Sequence, residues 1–257
     1  MRQFFISIGL LIKNRLLPAA VGSLLVAGSA QAQSGNALNF DGVDDYVSLP
    51  ISQAPGPTNF TIEAWLNYQD NGPWTRVVDF GTGTDRNMFL TPRNAVNDAP
   101  RFAITTSGAA GEQTISGTAK LSDGLHHLAV TLSQNGTVVT GTLYVDGAVV
   151  STNTNMTLTL NSLGPITNLY LGRSEYGYDP YLKGSLDEVR FYSAALTQAQ
   201  IQTDMLRSGP SPSGLSANLL SYYNFNEGIA NGNNPGVTAL TDQSNSGFSG
   251  TLYNFAL

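Results

Sequence analysis

The sequence predicts an all-β sandwich of two antiparallel sheets, and three observations carry that expectation. Apolar and polar residues alternate with period two over 60–66, 128–132, 142–150, 169–172 and 186–192, and each such run reads as a half-buried strand. Asp146-Gly147 and Asn135-Gly136 stand between apolar runs; both residues of such pairs tolerate positive φ, which makes them strong hairpin signals. The strands follow one another without the helical spacing of βαβ units, so two sheets packed face to face are expected.

Taken in order, the chain opens with Arg2, Lys13 and Arg15 ahead of an apolar run from Leu16 to Gly28, and Ala30-Gln31-Ala32 presents small residues for a cut after Ala32. That run is too short to cross about 30 Å of hydrocarbon at about 1.5 Å per residue. Residues 1–32 therefore read as a signal peptide, the mature protein is expected to be secreted or held at the cell surface, and no membrane span remains after cleavage. Only 12% of the 257 residues are charged and the net charge is −6. Nucleic acid is thus excluded as a partner, because binding phosphates needs a basic patch. The chain has no cysteine. Core burial, with a structural cation as a candidate addition, must then replace the disulfides common in exported proteins.

One short helix is expected near the end of the main domain, where Thr197 can cap it and Gln200, three residues on, completes a capping box. Residues 208–217 are rich in Gly, Pro and Ser and read as a linker. The segment 218–257 admits two readings: the start of a further repeat that is left incomplete, or edge strands that fold back on the only domain. The incomplete repeat is the expectation, and about forty residues cannot bury a sandwich core alone, so such a tail would be loosely ordered.

Five segments are similar to motifs of one family, in its order and at about its spacing. They are Ala37-Leu38-Asn39-Phe40-Asp41-Gly42-Val43-Asp44-Asp45-Tyr46-Val47, Thr61-Ile62-Glu63-Ala64-Trp65-Leu66, His126-His127-Leu128-Ala129-Val130-Thr131-Leu132, Leu143-Tyr144-Val145-Asp146-Gly147-Ala148-Val149 and Lys183-Gly184-Ser185-Leu186-Asp187-Glu188-Val189-Arg190-Phe191-Tyr192. Over residues 35–207 the chain resembles the laminin-G-like jelly-roll domains of the concanavalin A-like lectin and glucanase superfamily. Leu125 departs from that pattern, since the family usually has a Trp before the His-His pair. The resemblance implies a jelly roll with one short C-terminal helix, and it implies that the tail resembles segments that usually precede the first motif. It also places Asp41 and Asp187 near each other, as ligands for a structural calcium ion. Calcium accepts six to eight oxygens, so two carboxylates and turn carbonyls would serve. The alternative for 41–45 is a plain Asp turn.

The glycosidase reading needs two carboxyl groups about 5 to 5.5 Å apart. Asp187 and Glu188 are adjacent, and neighbours on a regular strand point to opposite faces. No Gly-x-Ser-x-Gly elbow is present, and His126 and His127 are the only histidines, read as one buried and one solvent-facing ring. No catalytic residue is therefore expected. Trp74 and the run bearing Tyr176, Tyr178 and Tyr181 lie on expected loops beside Asp and Asn, where rings can stack on sugars or simply cover the ends of the core. The expected function is a non-catalytic binding or adhesion module toward carbohydrate or an extracellular protein surface. A structural spacer of a larger surface protein and a divergent glycoside hydrolase are the alternatives.

Overall fold

A computed structural model of the chain describes residues 35–50, 57–210, 214–231, 234–244 and 246–256; the expected signal peptide and residues 211–213 of the expected linker lie outside them. In chain order the strands are β1 (Leu38–Asp41), β2 (Tyr46–Ser48), β3 (Phe60–Tyr68), β4 (Val78–Gly81) and β5 (Asn87–Thr91). β6 (Arg101–Thr105), β7 (Gln113–Ser116), β8 (Gly124–Asn135), β9 (Val138–Val145) and β10 (Ala148–Met156) follow. β11 (Asn168–Leu171) and β12 (Lys183–Tyr192) precede the helix α1 (Gln198–Asp204), and β13 (Leu219–Tyr223), β14 (Ala239–Leu240) and β15 (Gly250–Tyr253) come last.

Every strand pairing among the described residues is antiparallel. Sheet A runs β1-β12-β3-β8-β9-β10, with β13 also on β12, and sheet B runs β14-β15-β2-β11-β4-β5-β6-β7. Alternation decides which side chains meet between them: Ile62, Ala64, Leu66, Leu128, Val130 and Leu132 from sheet A face Val78, Phe80, Met88, Leu90, Phe102 and Ile104 from sheet B. Full burial of a side chain of that size contributes roughly 1.5 to 3 kcal/mol, and this layer is the main core. The Asp146-Gly147 turn joins β9 to β10 with φ of 52° and 73°, which is what the sequence requires there. The predicted capping box also forms, with Thr197 accepting from the Gln200 N–H and the Gln200 side chain reaching back.

The tail departs from expectation. β13 pairs with the second half of β12, from Val189↔Tyr223 to Tyr192↔Leu219, and β15 pairs with β2, from Thr251↔Ser48 to Tyr253↔Tyr46. Tyr222, Tyr223, Phe225 and Leu240 are all buried. The reading of 218–257 as an unfinished, loosely ordered repeat after a boundary at 207 is thus corrected: its strands belong to both sheets. The physical reason is reciprocal, since the tail cannot bury its own apolar residues and without it one edge of β12 and one of β2 would carry unpaired backbone.

On the outer face of sheet A, α1 and residues 207–209 cover a buried ionic cluster. A β-bulge between Asp187 and Arg190 puts Glu188 at φ 54°, and the extra residue breaks the strand's alternation. The Glu188 carboxylate thereby meets Arg190 and accepts from the Tyr222 hydroxyl of β13 at 2.7 Å. Arg190 donates on to the carbonyls of Arg207 and Gly209, at 3.1 and 3.0 Å, and lies 3.6 Å from Glu63. His127 is buried against Trp65, whose indole N–H donates to the Met205 carbonyl at 3.0 Å. Three elements that are distant in sequence are tied together here.

Candidate functional site

The outer face of sheet B is covered by loops in place of a helix, and its outward residues Asp79, Phe89 and Ala103 are buried beneath them. The register Tyr170↔Asp79, Asp79↔Phe89 and Phe89↔Ala103 sets one outward row across β11, β4, β5 and β6. Two loops overhang it, 72–74 ahead of β4 and 173–182 between β11 and β12. Together they frame a pocket of about 320 Å³ lined by Trp74, Arg76, Phe89, Arg101, Glu112, Tyr176, Tyr178 and Asp179 among others.

Arg76 organises this pocket. Its guanidinium lies 3.9 Å above the Phe89 ring, pairs with Asp79 at 3.1 Å and Asp179 at 2.8 Å, and donates to the Trp74 carbonyl at 2.6 Å. Stacking, charge and hydrogen bonds act on one group, so the loop bearing Asp179 is pinned to the sheet. Burial pushes the Asp79 carboxyl up to about 7, opposed by Arg76, and it raises Asp179 as well. Arg101 pairs with Glu112 and lies 5.6 Å from the Trp74 ring.

Trp74 sits at φ 71°, a left-handed conformation that costs a bulky residue roughly 1 to 3 kcal/mol. Strain of this kind persists where the surroundings hold it in place. Its ring stands edge-on to Phe89 at 6.4 Å and is partly exposed. Tyr176 and Tyr178 meet edge to face at 6.0 Å, the Tyr176 hydroxyl donates to the Thr84 carbonyl, and Tyr178 is 85% exposed. An open ring beside fixed carboxylates can pack on a sugar's apolar face and accept from its hydroxyls.

Three of the four expected aromatic residues, Trp74, Tyr176 and Tyr178, therefore converge. Tyr181 does not join them; its ring lies 6.5 Å from Tyr46, in a second aromatic group with Tyr170 and Tyr253. Sequence reading missed Arg76, Arg101 and Glu112, because an ion pair closed across strands leaves no local pattern.

The expected metal pair does not form. Asp41 is opposite Lys183 in the β1–β12 register, and Asp187 lies four residues further along β12, about 13 Å away at about 3.3 Å per residue. Asp187 instead has one oxygen on the Glu188 N–H, and burial raises it to about 7. Asp41 has other company: carboxylate oxygens of Asp41, Asp44 and Asp45 lie within 4.8 Å of one another. Asp45 is buried, accepts from the Asp41 N–H at 2.8 Å through one oxygen and has no partner on the other. Burial pushes it up to about 6.

A laminin-G family model described as Concanavalin A-like lectin/glucanases superfamily matches residues 41–202. The chain belongs to that superfamily. No curated protein matches it. Among solved structures, it is similar to the CBM40 module of the Ruminococcus gnavus IT-sialidase bound to α2,3-sialyllactose, with 12% identity and a TM-score of 0.54, over 68% of this chain and 98% of that one. A candidate carbohydrate binding protein of Bacteroides ovatus aligns at 21% identity and a TM-score of 0.60, over 84% of this chain and 57% of that chain. Domain 4 of AbnA, a GH43 extracellular arabinanase from Geobacillus stearothermophilus, in complex with arabinotriose, aligns at 20% identity and 0.52, over 68% and 84%. At these identities the likeness is one of fold. No helix among the described residues is long and apolar enough to cross a membrane.

Proposed function

We propose that the protein is an exported, non-catalytic carbohydrate-binding module whose pocket on the outer face of sheet B stacks a sugar ring on Trp74 and Tyr178. The carrying observation is the convergence of those rings with Glu112 and Asp179, each carboxylate held by an arginine. Acids locked in this way are suited to accept from hydroxyls and poorly placed to act as a mobile acid and base. Neighbours of the same fold that were solved with sialyllactose and arabinotriose support the reading. Export rests on the sequence of residues 1–32.

A structural calcium ion belongs to the same proposal. Asp41, Asp44 and Asp45 would hold it, and the unpartnered buried oxygen of Asp45 fits a cation. Asp187 has no part in it.

A glycan array read with and without calcium tests both. Bound oligosaccharides are expected, and Trp74→Ala should weaken them at least about tenfold while the protein keeps a cooperative melting transition. An array without hits in either condition would overturn the function. For the ion, about 5 mM calcium should add roughly 2 kcal/mol at an affinity near 10⁻⁴ M, and Asp44→Ala should abolish that gain. Identical melting curves in calcium and in EDTA would remove the ion from the account.

A further inference from the structure

The cations of the Trp74 pocket are all matched: Arg76 by Asp79 and Asp179, Arg101 by Glu112. Arg173, just past β11, is different. Its guanidinium carbon lies 4.7 Å from the Tyr46 ring centroid and 4.9 Å from that of Tyr170. Among the described residues it forms no ion pair and none of its donors has a hydrogen-bond partner. Tyr46 in turn stacks on Tyr253 at 4.7 Å and 4°, and Tyr170 meets Tyr46 edge-on at 5.7 Å.

A guanidinium resting on ring faces keeps its planar fork of N–H donors at its edge, which matches a carboxylate with two parallel hydrogen bonds. The rings also displace water from one side of the cation, so an anion replacing the rest meets a smaller desolvation cost. We propose that Tyr46, Tyr170, Arg173 and Tyr253 form a second subsite, which takes the carboxylate of an acidic sugar unit while the rings pack against that unit. Position supports it, because Tyr46 on β2 and Phe89 on β5 lie three strand spacings across and two residues along the sheet from each other, about 16 Å. One oligosaccharide can reach across both. Tyr253 comes from the tail, so strand β15 supplies part of the surface as well as closing the sheet.

This subsite rests on the carbohydrate reading of the Trp74 pocket, and the test separates the two. Oligosaccharides ending in a uronic acid and others ending in a sialic acid are titrated into the full protein at low salt, each beside its carboxyl-reduced counterpart. In at least one of the two series the acidic member should bind about tenfold tighter, and that series identifies the source of the carboxylate. Arg173→Gln should erase the preference and leave the affinity for the reduced member in place, and Tyr253→Ala, at an exposed ring, should weaken the acidic member without disturbing the fold. Equal binding of acidic and reduced members throughout, with Trp74→Ala still weakening both, would overturn the subsite and spare the pocket. Failure of every oligosaccharide to bind would overturn the subsite and the pocket alike.

Discussion

The two outer faces of the sandwich carry nearly the same polar chemistry, arginine among carboxylates and tyrosines, and put it to opposite uses. On sheet A the cluster of Glu63, Glu188 and Arg190 is sealed under α1, residues 207–209 and β13, with Arg190 and Glu63 buried. On sheet B, Arg76 and Arg101 stand at the floor of an open pocket beneath rings that reach solvent. Cover decides the difference. Burial pushes Glu63 up to about 8 and His127 down to about 3, so the sealed groups favour their neutral forms. The sealed face therefore anchors distant chain segments, whereas on sheet B the buried Arg76 and Asp79 fix a floor and leave Tyr178 and the partly exposed Trp74, Arg101 and Glu112 available to a ligand.

Removing the cover should break that contrast most severely. A chain ending at Arg207 loses β13, β14 and β15 and the buried side chains Tyr222, Tyr223, Phe225 and Leu240. At roughly 1.5 to 3 kcal/mol each, these together are comparable with a typical domain's total stability of about 5 to 15 kcal/mol. No cooperative melting transition is expected by calorimetry, and a melting temperature within about 3 °C of the full chain would show that the tail is dispensable. A smaller effect is expected from Arg190→Met, which leaves Glu63 and Glu188 buried without their cation and should cost about 3 to 5 kcal/mol, a fall of about 10 °C in Tm. Arg101→Met on the open face should cost no more than about 3 °C by the same measurement. Equal losses at the two arginines would erase the distinction drawn between the faces.

The pH dependence sharpens it further. Glu63 has a folded value near 8 against 4.5 when free, so the folded state keeps a proton that the unfolded chain releases; its contribution is full below pH 4.5 and is lost as pH rises to 8. Asp187 and Asp79, raised from 3.8 to about 7, act in the same sense. His127, lowered from 6.5 to about 3, acts in the opposite sense, but only below 6.5, where the unfolded chain takes up a proton that the folded one refuses. Above pH 6.5 the acids govern. Stability should fall by about 2 kcal/mol between about pH 6.5 and 8 from Glu63 alone, at about 1.4 kcal/mol per unit, and Glu63→Gln should flatten that slope in denaturant titrations.

Much of the fold was legible because its signals are local. The Asp146-Gly147 hairpin, the capping box of Thr197 and Gln200 and the alternation of β3, β8 and β12 all act over a few residues. The loop aromatics were legible for the same reason, since Trp74, Tyr176 and Tyr178 stand in turn-rich segments. What the sequence hid is decided at long range. Nothing near Tyr222 announces that its hydroxyl will reach Glu188, and the bulge that turns Glu188 is invisible in an alternating strand. Asp187 was expected beside Asp41 from motif order alone, while strand register, which controls distance, carries them apart.

The closure of β2 by β15 fixes a schedule for the nascent chain. Asn254 donates to the Asp44 carbonyl across 210 residues of sequence, beside a ladder that pairs Tyr46 with Tyr253. A strand made early thus waits for a partner made about 200 residues later, and such pairing is slow because the whole intervening loop must close first. Until residues 250–253 are available, one edge of β2 remains open to wrong pairing. Substitutions in β15 should therefore be felt first in the yield of folded chains.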